Sequence, residues 1–184
     1  MTPKPSCYIA LFRAINVGGH AVIKMSELKK MFEQVGFTNV ITYIQTGNVV
    51  FSSNETSKEK LAVQIEQKFK SSTGHESKIF ILTNNKLKKA ASHNPFEPMK
   101  RNKVQRCHLM FLSGKPDSVH IKELMQLEGR EYRLHVHNDV LYYAYDIKFA
   151  GKRRFIDFEK VLGIKGTSRS WKVVDKLIEL SSPK

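Results

Sequence analysis

The 184-residue chain has two cysteines, one tryptophan, six prolines and far fewer acids than bases. Cys7 and Cys107 are 100 residues apart with no Cys-x-x-Cys, and each opens an apolar run. That excludes a disulfide framework and a cysteine-built metal site, and predicts two core thiols in a reducing, cytoplasmic setting. No apolar run approaches the about 20 residues that cross a bilayer. The N-terminal Met1-Thr2-Pro3-Lys4-Pro5 has no secretory pattern, so no membrane partner is expected. There is no His-Glu-x-x-His, no Gly-x-Ser-x-Gly and no carboxylate pair in a motif context. His135-x-His137 has no third ligand at a telling spacing, so neither a metal nor a cofactor is expected. Gly18-Gly19 lacks the spacing of a dinucleotide fingerprint or a P-loop.

What the chain does have is positive charge. There are 31 Lys and Arg against 17 Asp and Glu, for a net +14. The excess is spread, with residues 1–100 and 101–184 each carrying +7. Such a surface attracts anions broadly: nucleic acid, phosphorylated ligands or acidic lipids. A second basic concentration, Lys152-Arg153-Arg154 with Lys148, Lys160, Lys165, Arg169 and Lys172, lies beside Tyr142, Tyr143, Tyr145 and Phe149. Exposed aromatics next to cations suit base stacking, although the glycine-aromatic signature of RNA-binding plaits is absent.

Hydrophobic patterning gives the architecture. Cys7 to Ile15 reads as a strand running into the Asn16-Val-Gly-Gly loop. Met25, Leu28, Met31, Phe32 and Val35 form one helical face, closed by Gly36. Val40–Thr46 and Val49–Phe51 flank Gly47-Asn48 as a hairpin. Ser57 caps a helix buried through Leu61, Ile65 and Phe69, and residues 78–82 form another strand. The order β-α-β-β-α-β is that of the ferredoxin-like plait. After a basic connector the pattern restarts at Cys107, with a final helix from Thr167-Ser168 where a fourth strand would fall. The expectation is an α+β fold: a plait subdomain over 1–85, a basic connector over 86–106, and an incomplete plait with a C-terminal helix over 107–184.

Plait topology brings the loop after strand one and the hairpin after strand two to one end of the sheet. Arg13, Asn16, Gly18, Gly19, Gln45, Thr46, Gly47 and Asn48 should converge there, with Arg169 joining if the last helix packs over that end. Amides, a hydroxyl, an arginine and bare glycine backbone suit a phosphate, a carboxylate or a nucleobase. The same residues would serve as loop braces in a plain turn. The functional expectation is a binding site for an anionic ligand, nucleotide or nucleic acid. The alternatives are an enzyme of unknown reaction using the same pocket, for which no catalytic residue can be named, and a protein–protein adaptor that exposes a sheet edge. Oligomeric state is not readable.

Several stretches together resemble one family. Ala10–Gly19 resembles its opening signature, which usually ends Arg-Gly-Ile-Asn-Val-Gly-Gly; Ala14 replaces the glycine. Met25-Ser26-Glu27-Leu28, Val35-Gly36-Phe37, Tyr43–Phe51 and Asn94-Pro95-Phe96 are similar to its later motifs. Thr167-Ser168-Arg169-Ser170-Trp171 is similar to a closing Thr-x-Arg-Asn-Trp, with Ser170 for the asparagine. The family is the bacterial domain of unknown function 1697. The resemblance implies a bacterial cytosolic α+β protein with plait-like halves, and it assigns no activity.

Overall fold

The structure, a computed structural model, describes residues 5–19, 21–96, 105–149 and 156–182. Two compact units divide the chain: Met1–Lys88 with Lys176–Lys184, and Lys89–Asp175.

In the first unit the strands are β1 (Ser6–Phe12), β2 (Thr38–Tyr43), β3 (Asn48–Ser53) and β4 (Ile79–Leu82). They form one sheet in the order β2-β3-β1-β4, every neighbouring pair antiparallel. This is the plait order, with β1 and β2 pointing the same way on either side of β3. Helices α1 (Met25–Gln34) and α2 (Lys58–Thr73) complete the pattern. The α2 start follows from Ser57, whose hydroxyl accepts from the Lys60 amide at 3.2 Å. Its end follows from Gly74, left-handed at φ 74. Leu61, Ile65 and Phe69, one helical turn apart, are fully buried. Burial of each contributes about 1.5–3 kcal/mol. They meet α1's Leu28, Met31 and Phe32 over Ala10, Phe12, Val49 and Phe51 from the sheet. Phe32 meets Phe51 edge-on at 5.2 Å and Phe12 lies 5.2 Å from Phe69. The core is therefore aromatic, and it holds the end of β1 rigidly. A third helix, α3 (Asn84–Ser92), follows β4. The Asn84 amide donates to Ile178 O and Ser181 Oγ, both at 2.8 Å, which ties the residues after position 176 to this unit.

The second unit repeats the order with β5 (Gln105–Leu112), α4 (Ser118–Met125), β6 (Arg133–His137), β7 (Val140–Asp146), α5 (Phe158–Leu162) and β8 (Gly166–Ser170). Its sheet runs β6-β7-β5-β8, again fully antiparallel. Asp117 caps α4 by accepting from the His120 amide, and Gly163 closes α5 at φ 68. A short 3-10 helix, Ile147–Phe149, follows β7.

One expectation is corrected here. The second plait is not missing its fourth strand. Residues 166–170 pair with β5 from His108↔Ser170 to Leu112↔Gly166, and the last helix, α6 (Trp171–Leu180), starts only afterwards. The polar run Gly-Thr-Ser-Arg-Ser carries no apolar alternation, so Thr167 and Ser168 read as helix caps. Thr167 and Arg169 in fact point to a buried face, where Arg169 donates to Thr167 Oγ1. Trp171 is half-buried, while Val174 and Leu177 are the fully buried positions of α6.

Candidate functional site

Two of the stretches singled out from sequence, the loop after β1 and the β2–β3 hairpin, meet at one end of the first sheet. Asn16 makes the junction. Its Nδ2 donates to Gln45 O at 2.8 Å and to Ile23 O at 3.0 Å, while its Oδ1 accepts from the Ile23 amide at 2.8 Å. One carboxamide thus closes the loop after β1 on itself and clasps it to the β2–β3 hairpin. A second tie is backbone, from the Phe12 amide to Gly47 O at 2.9 Å.

The loop itself is a small hairpin. The Asn16 amide donates to Ala21 O at 3.4 Å, with Gly18 and Gly19 at φ 59 and 79 between them. Positive φ at two consecutive positions is readily adopted only by glycine, hence the pair. Left-handed backbone extends further: Ala14 has φ 56, Asn16 φ 54 and Ala21 φ 47. Ala14 stands where the resembling pattern usually has glycine, and its φ supplies the physical reason for that glycine.

In the opposing hairpin, Ile44 to Gly47 form the turn. Gly47 has φ 71, and a Cβ there would lie 2.6 Å from both Phe12 Cβ and Ile15 Cδ1. Glycine is required both for its conformation and for its room. Asn48 is fully buried, and its Nδ2 donates to Tyr43 O and Thr46 Oγ1, both at 3.0 Å. Arg13 continues the edge on the β4 side: its amide donates to Lys78 O and its carbonyl accepts from Ser77 Oγ. Its side chain is half-buried.

These bonds sort the residues. Asn16 and Asn48 hold the two loops in shape, and Gly47 admits the close approach of β1. Gln45 and Thr46 are exposed, as are the side-chain-free Gly18 and Gly19. The Gln45 carboxamide makes no hydrogen bond among the described residues.

Arg169 lies on β8 of the second unit, 6% exposed, with Nη1 donating to Thr167 Oγ1 at 2.7 Å and to Ser168 O at 2.8 Å. Burial pushes its guanidinium down to about 10.

Of the aromatics on β7, Tyr142 is fully buried and its hydroxyl donates to Ala90 O at 2.8 Å. Tyr143 and Tyr145 are half-buried against the helix-side core, with His108 stacked on Tyr143 at 4.9 Å and 5°. They are packing residues on that face, and no bare aromatic platform is formed by these three. Lys152-Arg153-Arg154 and residues 97–104 of the connector lie outside the described residues. His135 and His137 share a face of β6, and His137 stacks on His93 at 4.3 Å. Desolvation, then the neighbouring His137, push the His135 imidazole below its ordinary value, partly offset by Glu128. Among the described residues no three metal-ligating groups come together.

Sequence patterning does not single out Ile44, Val17 or Val22. Ile44 has φ 48, rare for a β-branched residue, and is exposed. Ala14 is marked only by its departure from the usual glycine of the resembling pattern.

Among solved structures, the conserved bacterial protein SP0830 from Streptococcus pneumoniae matches with a TM-score of 0.76. The match spans 97% of this chain and 100% of that one at 20% identity, which speaks for the fold alone. No curated, functionally described protein matched. The family model described as Protein of unknown function (DUF1697) matches residues 6–142, a stretch that takes in both loops of the edge. The chain belongs to the DUF1697 family.

Proposed function

We propose that the protein binds an anionic ligand, a nucleotide or nucleic acid, at the edge formed by the loop after β1 and the β2–β3 hairpin. The observation that carries this reading is the Asn16 clasp. A surface loop with left-handed backbone at Ala14, Asn16 and Ala21 stores strain of about 1–2 kcal/mol per alanine, and three side-chain bonds hold it in place. Rigid, strained loops that carry polar side chains are where binding sites concentrate. Arg13 supplies the charge, Gln45 and Thr46 the hydrogen bonds, and Gly18-Gly19 an approach unobstructed by side chains. The excess of 31 Lys and Arg over 17 Asp and Glu adds long-range attraction for the same ligand class. We place this work in the cytoplasm, in keeping with the two free thiols.

The test is a thermal-shift and titration series with inorganic phosphate, mononucleotides and single-stranded oligonucleotides at low salt, on the parent chain and on Arg13→Gln. A phosphate-bearing ligand is expected to raise the melting temperature, and Arg13→Gln to abolish the shift. If the polymer is the ligand, its affinity falls steeply with salt as counterions are released. No shift with any phosphate compound at millimolar concentration overturns the reading.

A further inference from the structure

Of the seven large apolar side chains exposed among the described residues, three stand on the two loops of this edge: Val17 at 58%, Val22 at 68% and Ile44 at 44%. A fourth, Ile41, is on the adjoining strand β2. Asn16 joins the loops, so the concentration is local. Ile44 is unfavourable on two separate counts. It shows its side chain to water, and it holds a β-branched residue at φ 48. Asparagine or glycine would remove both costs at once. A ligand contact with the Ile44 side chain would offset the first of these costs. Directly beside it, the Gln45 carboxamide is exposed and unused among the described residues.

A bare inorganic anion would use Arg13 and the glycine backbone and leave these apolar groups wet. A nucleic-acid strand would call for a track of cations, whereas the described residues of these two loops bring two, Arg13 and Lys24. A ligand with one anionic end and one flat, weakly polar end fits the whole set. Building on the anion-site reading above, we propose that the edge takes a mononucleotide. Its phosphate sits at Arg13 and Gly18-Gly19. Its base lies on Ile44 and Val17, with Gln45 reading the hydrogen-bonding edge. A carboxamide offers one donor and one acceptor side by side, the complement of adenine's N7 and N6 amino group. An adenine nucleotide is accordingly the best probe.

The experiment is calorimetric titration of AMP, adenosine and inorganic phosphate into the parent chain, Ile44→Asn and Gln45→Ala. AMP is expected to bind at least about tenfold tighter than phosphate. Ile44→Asn should bring AMP down to the phosphate level and leave phosphate itself unchanged. Because this replacement relieves backbone strain, it should melt no lower than the parent, so the lost affinity is not lost folding. Gln45→Ala should weaken AMP about tenfold at a binding edge that otherwise persists. Equal affinities for AMP and phosphate, or an Ile44→Asn chain that binds AMP like the parent, overturn the nucleotide proposal and leave the anion site standing. Tight adenosine binding with no response to phosphate or to Arg13→Gln overturns both.

Discussion

At the scale of single residues, the edge is defined by backbone angles that side chains seldom adopt. Ala14 at φ 56 is the plainest case. An L-residue there costs about 1–2 kcal/mol, and glycine returns part of that as extra freedom in the unfolded chain. Ala14→Gly is expected to stabilise the protein by about 0.5–1 kcal/mol, read as a shift in the urea midpoint at unchanged slope. A loss of stability would mean that the methyl group is packed. Gly47 is the converse. Adding a methyl at φ 71, 2.6 Å from Phe12 Cβ, combines conformational strain with overlap against a core strand. Gly47→Ala should destabilise by about 2–4 kcal/mol, and the same midpoint measurement checks it. The sequence marked Gly47 as a turn residue because glycine between two β-branched runs has few other uses. It could not reveal Phe12 and Ile15 as the neighbours that forbid a side chain, since those contacts exist only once β1 lies beside the hairpin.

At the scale of elements, apolar periodicity made the strands and helices readable and its absence hid one of them. Helix α2 was legible from end to end, because Ser57, the Leu61-Ile65-Phe69 spacing and Gly74 all act within one segment. β8 was not, because its inward residues are Thr167 and Arg169, whose burial rests on hydrogen bonds that a linear pattern does not display. The meeting of the two loops was legible for a topological reason: β1 and β2 run in parallel, so their exits share an end. The role of Asn16 was not, since an asparagine after a strand is equally suited to lining a site and to bracing it. Its three bonds make the brace testable. Asn16→Gly keeps φ 54 accessible while deleting the clasp, so its cost isolates the side chain. It should be about 1–3 kcal/mol, with faster amide exchange confined to residues 16–23 and 44–47. Exchange that rises uniformly over the whole first unit would point to a core role instead.

At the scale of the whole molecule, the chain uses one topology twice, in two sheets with the same strand order. Buried titratable groups give the second copy a pH dependence of its own. Tyr142 is the clearest case. It is fully buried on β7, and burial, followed by the charges of Asp139 and Cys107, drives its phenol well above the usual tyrosine range. In the unfolded chain the same phenol ionises near about 10. Above that pH the folded state retains a proton that the unfolded state has lost, so the stability owed to Tyr142 is complete below about pH 10 and declines as the pH rises beyond it. Removing the hydroxyl also deletes its 2.8 Å bond to Ala90 O. Tyr142→Phe should therefore cost about 1–2 kcal/mol at neutral pH. The gap between parent and variant should shrink as the pH passes about 10, because only the parent carries the ionisation penalty. Denaturant melts of both chains in steps from neutral to alkaline pH measure that gap directly. Phenolate absorbance gives a second readout: the Tyr142 phenol should ionise only with unfolding, and that late step should vanish in Tyr142→Phe. A gap that stays constant with pH would show that water reaches the phenol and that β7 is not sealed at this position.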